Sequence, residues 1–66
     1  MPAAREPAPV GPVAQTLFAL LQEGALTADE LVRAAGVDPA QASAALIELE
    51  LARRIALEDG VYRAAV

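Results

Sequence analysis

Large apolar residues recur at helical spacing near the start of the chain: Val13, Leu17, Leu20 and Leu21. They predict a first helix that begins at Pro12, because proline is favoured in the first turn of a helix. Gly24 is the expected end of this helix. This apolar side is expected to face a core, with Phe18 at its edge.

A capping signature opens a second predicted helix. Thr27 and Glu30 form the pattern T-x-x-E, in which each side chain accepts a hydrogen bond from the backbone of the other residue. Residues 25 and 26 form a short extended link before it. The helix is predicted to run to about Ala35, where Gly36 can adopt the left-handed conformation that ends a helix.

A third helix is predicted after a turn of about three residues. Asp38 is a favoured cap and Pro39 a favoured first residue, and the helix is expected to last to about Leu51. Two helices joined by a short turn with glycine are typical of a helix-turn-helix motif. Four residues of the third helix share the face that should pack inward: Ala42, Ala45, Leu46 and Leu49.

The last segment predicts two short strands around Asp59-Gly60, a dipeptide favoured in type I′ hairpin turns. Three helices followed by a hairpin indicate a winged helix-turn-helix, a mainly α fold with a small β-hairpin, over residues 12–66. The pairs expected on the core side of the hairpin are Ile55 with Ala64 and Leu57 with Tyr62.

Residues 1–11 differ from the rest of the chain, since they hold three of the five prolines and no periodic apolar pattern. They predict a semi-extended linker. A tether of this kind is typical of a domain that belongs to a larger protein, so we expect such a parent protein.

Composition argues against several functions. The chain has no cysteine and no histidine, so a thiolate metal site, a disulfide and the most common general base are all missing. Adjacent carboxylates, as in Asp29-Glu30 and Glu58-Asp59, are explained by helix capping and turn formation. We therefore expect no enzyme, metal or cofactor. Because no apolar run approaches about 20 residues, we expect a cytoplasmic protein without membrane contact.

The stretch EGALTADELVRAAGVDPAQASAALIELELARRIALEDGVYR resembles the C-terminal winged-helix domain of DprA, the DNA-processing protein of bacterial natural transformation. The similarity covers about residues 16–63, and its most specific parts are residues 45–51, Ile55 and residues 60–62. Arg53 departs from the family pattern, in which glycine is expected, and this difference can alter the bend into the wing.

The resemblance implies a parent protein with a Rossmann-like domain that binds single-stranded DNA, dimerises and helps to load RecA. The expected partners of the chain are then that domain, a second copy of the chain, and RecA or DNA reached through the parent. Because fold alone does not establish function, DNA binding by this chain needs support from its own residues.

The outward face of the third helix lacks the positive charge that a DNA-reading helix needs. Its only charges are Glu48 and Glu50, and acidic residues also lie at the tip of the wing. We interpret part of this face as a protein-protein surface. The alternatives are that Leu51 folds under the wing and that the alanines are simply good helix formers. The candidate surface residues are Ala40, Ala44, Ile47 and Leu51, flanked by Gln41 and Ser43.

The second hypothesis is weak nucleic-acid binding, and its candidate phosphate contacts are Arg33, Arg53 and Arg54. A small domain of the transcription-regulator type is a further alternative. The net charge of −4 speaks against a sequence-independent grip on nucleic acid. Arginines at a helix end also interact favourably with the helix dipole and keep a protein soluble, which is the alternative explanation for Arg53 and Arg54.

Overall fold

Three helices are followed by a two-stranded antiparallel hairpin in the computed structural model, which describes residues 11–65. The predicted winged helix-turn-helix is confirmed. Most of the predicted linker, residues 1–10, lies outside the described residues. The elements are α1 (Pro12–Glu23), α2 (Ala28–Ala35), α3 (Pro39–Leu51), β1 (Ile55–Glu58) and β2 (Val61–Ala64).

Helix α1 begins at the predicted proline and packs its apolar side into the core. Its buried residues are Ala14, Leu17 and Leu21, whereas Val13 and Leu20 are only partly buried. The spacing of the large residues had favoured Val13 and Leu20 as core residues, but the small residue Ala14 is more deeply buried than either.

The residue before α1, Gly11, has no side chain to cap the helix. A carboxylate from α3 lies there instead, and Glu48 Oε2 accepts a hydrogen bond from the Gly11 N–H at 3.2 Å. A negative charge at a helix N-terminus interacts favourably with the helix dipole. This contact joins the start of α1 to α3.

Both ends of α2 form as the sequence predicts. The Thr27 N–H donates to Glu30 Oε1 at 2.9 Å, and the Glu30 N–H donates to Thr27 Oγ1 at 3.1 Å. These two bonds complete the capping box. Gly36 ends the helix with φ 67° and ψ 35°, in the left-handed region.

Helix α3 ends in a left-handed turn at Arg53. The Arg54 N–H donates to the Leu49 carbonyl and the Arg53 N–H to the Glu50 carbonyl, both at 3.0 Å. This pair of bonds is the Schellman motif, whose left-handed position is usually glycine. Arg53 occupies that position with φ 60°. The expectation of glycine at this site therefore has a structural reason.

The wing has the predicted register, with Ile55 opposite Ala64 and Leu57 opposite Tyr62. Asp59 (φ 53°) and Gly60 (φ 78°) are both left-handed, as a type I′ turn requires.

The expectation that the whole inner face of the wing joins the core was wrong for one residue. Ile55 is buried, and Tyr62 and Ala64 pack partly against the core, but Leu57 is 48% exposed. Tyr62, directly opposite, lies on the strand that is bridged to Leu26, whereas Leu57 lies on the outer strand of the hairpin and nearer its tip than Ile55.

The link between α1 and α2 is joined to the wing by an isolated antiparallel β-bridge. The Tyr62 N–H donates to the Leu26 carbonyl at 2.8 Å, and the Leu26 N–H donates to the Tyr62 carbonyl at 3.1 Å. The hairpin is thereby held to the helical part of the domain.

The core lies where the three helices meet the base of the wing. One leucine from each helix is fully buried at its centre: Leu17, Leu31 and Leu49. The remaining buried residues are Ala14, Leu21, Ala42, Ala45, Leu46 and Ile55.

Candidate interaction surface

Helix α3 carries apolar side chains on two opposite sides. The inward side matches the prediction, because Ala42, Ala45, Leu46 and Leu49 are all buried. The opposite side holds a second apolar row, which we call the α3 stripe. Its residues are Ala40, Ala44, Ile47 and Leu51, and all of them are exposed.

The two large residues of the α3 stripe are open to solvent. The exposed fraction is 56% for Ile47 and 79% for Leu51. Leu51 therefore does not fold under the wing, and that alternative is wrong. An exposed row of this kind on an otherwise packed helix is a feature of protein-binding surfaces.

The charges around the α3 stripe are unevenly distributed along the helix. Gln41 and Ser43 flank the first half of the stripe, whereas Glu48 and Glu50 flank the second half. The side chains of all these residues lie outside the core. The stripe is thus bordered by neutral polar groups at one end and by carboxylates at the other.

Two of the three candidate phosphate contacts are engaged within the domain. Arg33 forms an ion pair with Asp29, one turn earlier on α2. The guanidinium of Arg54 lies over the ring of Phe18, 5.6 Å from the ring centre, which is within the range of a cation–π interaction. Arg54 is also half-buried. Neither side chain is presented freely to a phosphate.

Arg53 is different, because its side chain is exposed and makes no ion pair or ring contact within residues 11–65. On the wing, Arg63 Nε lies 3.4 Å from Glu58 Oε1 on the neighbouring strand, so these two side chains form an ion pair. Among the described arginines, Arg53 is therefore the one without a side-chain partner in the domain.

A groove lies between α2 and α3 that no sequence pattern predicted. Its volume is about 240 Å³, and it is open to solvent on one side. The groove depends on how the two helices pack, which no local pattern encodes. It is lined by Ala28, Asp29, Val32, Pro39, Ala42, Ser43 and Leu46.

The described part of the chain contains no cluster of three or more acidic, histidine or cysteine side chains that could hold a metal ion. In the same part, no helix has the length and apolar character needed to cross a membrane.

The fold and the surface together define a winged-helix domain whose third helix presents an apolar and acidic outer face. A model of the family described as the DprA winged helix domain matches residues 1–60. The chain therefore belongs to this family, as the resemblance indicated. No curated protein and no solved structure matches the chain.

Proposed function

We propose that the chain is a non-catalytic module of a DprA-like protein that acts in DNA processing during natural transformation, through protein contact rather than DNA reading. Membership of the family supports the DprA-like role. The observation that carries the mode of action is the exposure of Ile47 and Leu51 on the outer face of α3.

Electrostatics favour a protein over DNA as the partner of this face. A helix in the major groove needs donors for base edges, and its surroundings need positive charge for phosphates. The α3 stripe supplies neither, and Glu48 and Glu50 beside it repel phosphates. Glu58 and Asp59 place further negative charge at the wing tip, where a winged helix would approach the DNA backbone.

Apolar burial supplies the free energy for protein contact. Complete burial of an exposed Leu or Ile side chain contributes about 1.5–3 kcal/mol. Ile47 and Leu51 are each more than half exposed, so most of this free energy is still available in the isolated domain.

The experiment is an NMR titration of the isotope-labelled chain with the Rossmann-like domain of a DprA protein, and separately with short single- and double-stranded DNA. We expect the protein to shift the amide signals of residues 40–51, with little dependence on salt. Signals that shift only with DNA, at Arg53, Arg54 and the wing, and that return to their free positions as salt is raised would contradict the proposal.

A matched pair of variants tests the surface itself. Ile47→Asp places a charge in the α3 stripe, and we expect it to abolish association while the fold stays intact. Ala34→Asp places the same group at an exposed position on α2, outside the stripe, and is expected to bind like the wild type. If Ile47→Asp unfolds the chain, then Ile47 belongs to the core and the surface is not as we propose.

A second candidate function, weak nucleic-acid binding, rests on Arg53 alone, because its charged group has no partner within the described residues. Replacement by glutamate would then lower the affinity for DNA and reduce its dependence on salt. If Arg53→Glu leaves any DNA affinity unchanged, this candidate is excluded.

A further inference from the structure

We infer that the partner of the α3 stripe is the α3 stripe of a second copy of this chain, with the two helices antiparallel. This inference rests on the proposed function, because it requires the stripe to be a protein-binding surface. It specifies the binding partner, the relative direction of the two α3 helices and the residues that face each other.

The spacing of the stripe is that of a helix-helix seam. Ala40, Ala44, Ile47 and Leu51 follow one another at intervals of four, three and four residues. This is the alternation of the two core positions in a coiled-coil heptad, in which apolar residues recur every 3.5 residues on average. On a straight helix an apolar row at this spacing drifts by only about 20° per seven residues, so over the 13 residues of α3 it can face one other helix.

The sizes of the side chains favour an antiparallel pair. The stripe has small residues in its first half, Ala40 and Ala44, and large ones in its second half, Ile47 and Leu51. An antiparallel partner sets Ala44 against Ile47 and Ala40 against Leu51 of the other copy. Each facing pair then combines one large and one small side chain, so the pairs fill a similar volume along the whole contact.

Charge selects the same direction. A parallel pair would bring the acidic ends together, with Glu48 and Glu50 of both copies side by side and helix dipoles aligned. An antiparallel pair sets these carboxylates beside Gln41 and Ser43 of the second copy, near the positive N-terminal end of its α3. The repulsion between the acidic ends is thereby removed.

The unpartnered arginine also finds an opposite charge in this arrangement. Arg53 follows the C-terminal end of α3, and Asp38 precedes its N-terminal end. The antiparallel register brings Arg53 of one copy to the same end of the pair as Asp38 of the other. Both residues are exposed in the single chain.

The pair is expected to be weak. A single 13-residue helix offers a small contact area, below that of standard stable interfaces. We expect a dissociation constant between about 10 µM and 1 mM. Detection therefore requires concentrated protein and a method sensitive to minor association.

Paramagnetic relaxation in a mixed sample tests the direction. Because the chain has no cysteine, Gln41→Cys gives a single site for a spin label. The labelled chain is mixed with an isotope-labelled chain that carries no spin label, so every broadened signal reports a contact between copies. We expect the strongest broadening at residues 48–51. Broadening centred on residues 39–43 would instead show a parallel pair and overturn the inference.

Sedimentation equilibrium of the 66-residue chain tests whether the chain associates with itself. The variants Ile47→Asp and Leu51→Ala test whether the copies meet at the α3 stripe. We expect self-association of the wild type, loss of it in Ile47→Asp, and at least about fivefold weaker association in Leu51→Ala, which removes apolar area without adding charge. Ala34→Asp, an exposed position on α2, is the control and should associate like the wild type.

The possible failures are distinguishable. A chain that stays monomeric at millimolar concentration overturns self-pairing, but the proposed function stands if the Rossmann-like domain of DprA shifts the same stripe. A monomer that responds to DNA alone, at Arg53 and the wing, overturns both proposals. Association that survives Ile47→Asp shows that the copies meet at another surface and overturns the inference.

Discussion

At the scale of single residues, Arg53 is the position where the sequence and the backbone disagree most. The Schellman turn after α3 requires a left-handed conformation, and Arg53 has φ 60° there. For a residue with a Cβ atom this conformation costs about 1–2 kcal/mol, because Cβ approaches the next carbonyl oxygen. Arg53 is held in place by the two backbone hydrogen bonds that end the helix.

Replacement of Arg53 by glycine is expected to stabilise the chain. Glycine removes the steric cost but loses about 0.5–1 kcal/mol of conformational entropy on folding. The expected gain in the free energy of unfolding is therefore about 0.5–1 kcal/mol. Urea unfolding followed by circular dichroism at low protein concentration measures it.

The neighbouring residue provides the control. Ala52 has φ −82° and ψ 0°, a right-handed conformation in which alanine is unstrained. Ala52→Gly adds the same flexibility without relief of strain, so it should lower stability by up to about 1 kcal/mol. Two glycine variants that change stability in the same direction would show that strain at Arg53 is not significant.

At the scale of elements, α2 depends most on its ends. It has eight residues, whereas isolated helices shorter than about 12–15 residues are marginal in water. Its first turn is fixed by the reciprocal bonds between Thr27 and Glu30, and its last turn by Gly36. Local signals of this kind also explain why the sequence predicted its ends correctly.

Loss of the Thr27 hydroxyl should therefore weaken the helix. Thr27→Ala removes the acceptor for the Glu30 N–H and is expected to lower the free energy of unfolding by about 1 kcal/mol. Thr27→Ser keeps the acceptor and should change stability much less. Thermal unfolding of the two variants and the wild type makes the comparison, and equal losses in both would contradict a role for the hydroxyl.

Elements set by local chemistry could be predicted, and contacts between distant elements could not. Proline, glycine and capping residues fixed the helix ends, and Asp59-Gly60 fixed the register of the wing. The bridge from Leu26 to Tyr62 and the hydrogen bond from Gly11 to Glu48 join residues far apart in the sequence. They depend on how the helices pack, which periodicity does not specify.

The same distinction applies to the candidate surface. The helical wheel placed Ile47 and Leu51 on the outer face of α3, and the structure shows both exposed. The wheel could not decide whether another element covers Leu51, and pairing on the wing did not reveal that Leu57 lies beyond the core. Arg54 remained a candidate for phosphate binding because the sequence does not show its stacking on Phe18, a contact between α1 and the residue before β1.

At the scale of the whole molecule, the core is small, so each of its large side chains contributes a large share of the stability. A chain of 66 residues is expected to have a free energy of unfolding of about 3–10 kcal/mol. The centre of the core is three leucines, one from each helix. The loss of one of them therefore removes a large part of the total stability.

Leu49 and Leu51 form a matched pair on one helix, since one is fully buried and the other is 79% exposed. Leu49→Ala leaves a cavity and should lower the free energy of unfolding by about 2.7–5 kcal/mol. Leu51→Ala should change it by no more than about 0.5 kcal/mol in dilute solution. Chemical denaturation at micromolar concentration gives both values, and a large loss in Leu51→Ala would place this residue in the core.

Protein concentration then separates packing within the chain from pairing between chains. Association of folded copies stabilises the folded state by mass action, so the Tm of the wild type should rise as the protein is concentrated. Leu51→Ala should match the wild type when dilute and fall behind it when concentrated, because it has lost only the contact between copies. Calorimetry over a hundredfold concentration range measures this difference. If the two curves coincide at every concentration, Leu51 contributes to neither the core nor a self-association surface.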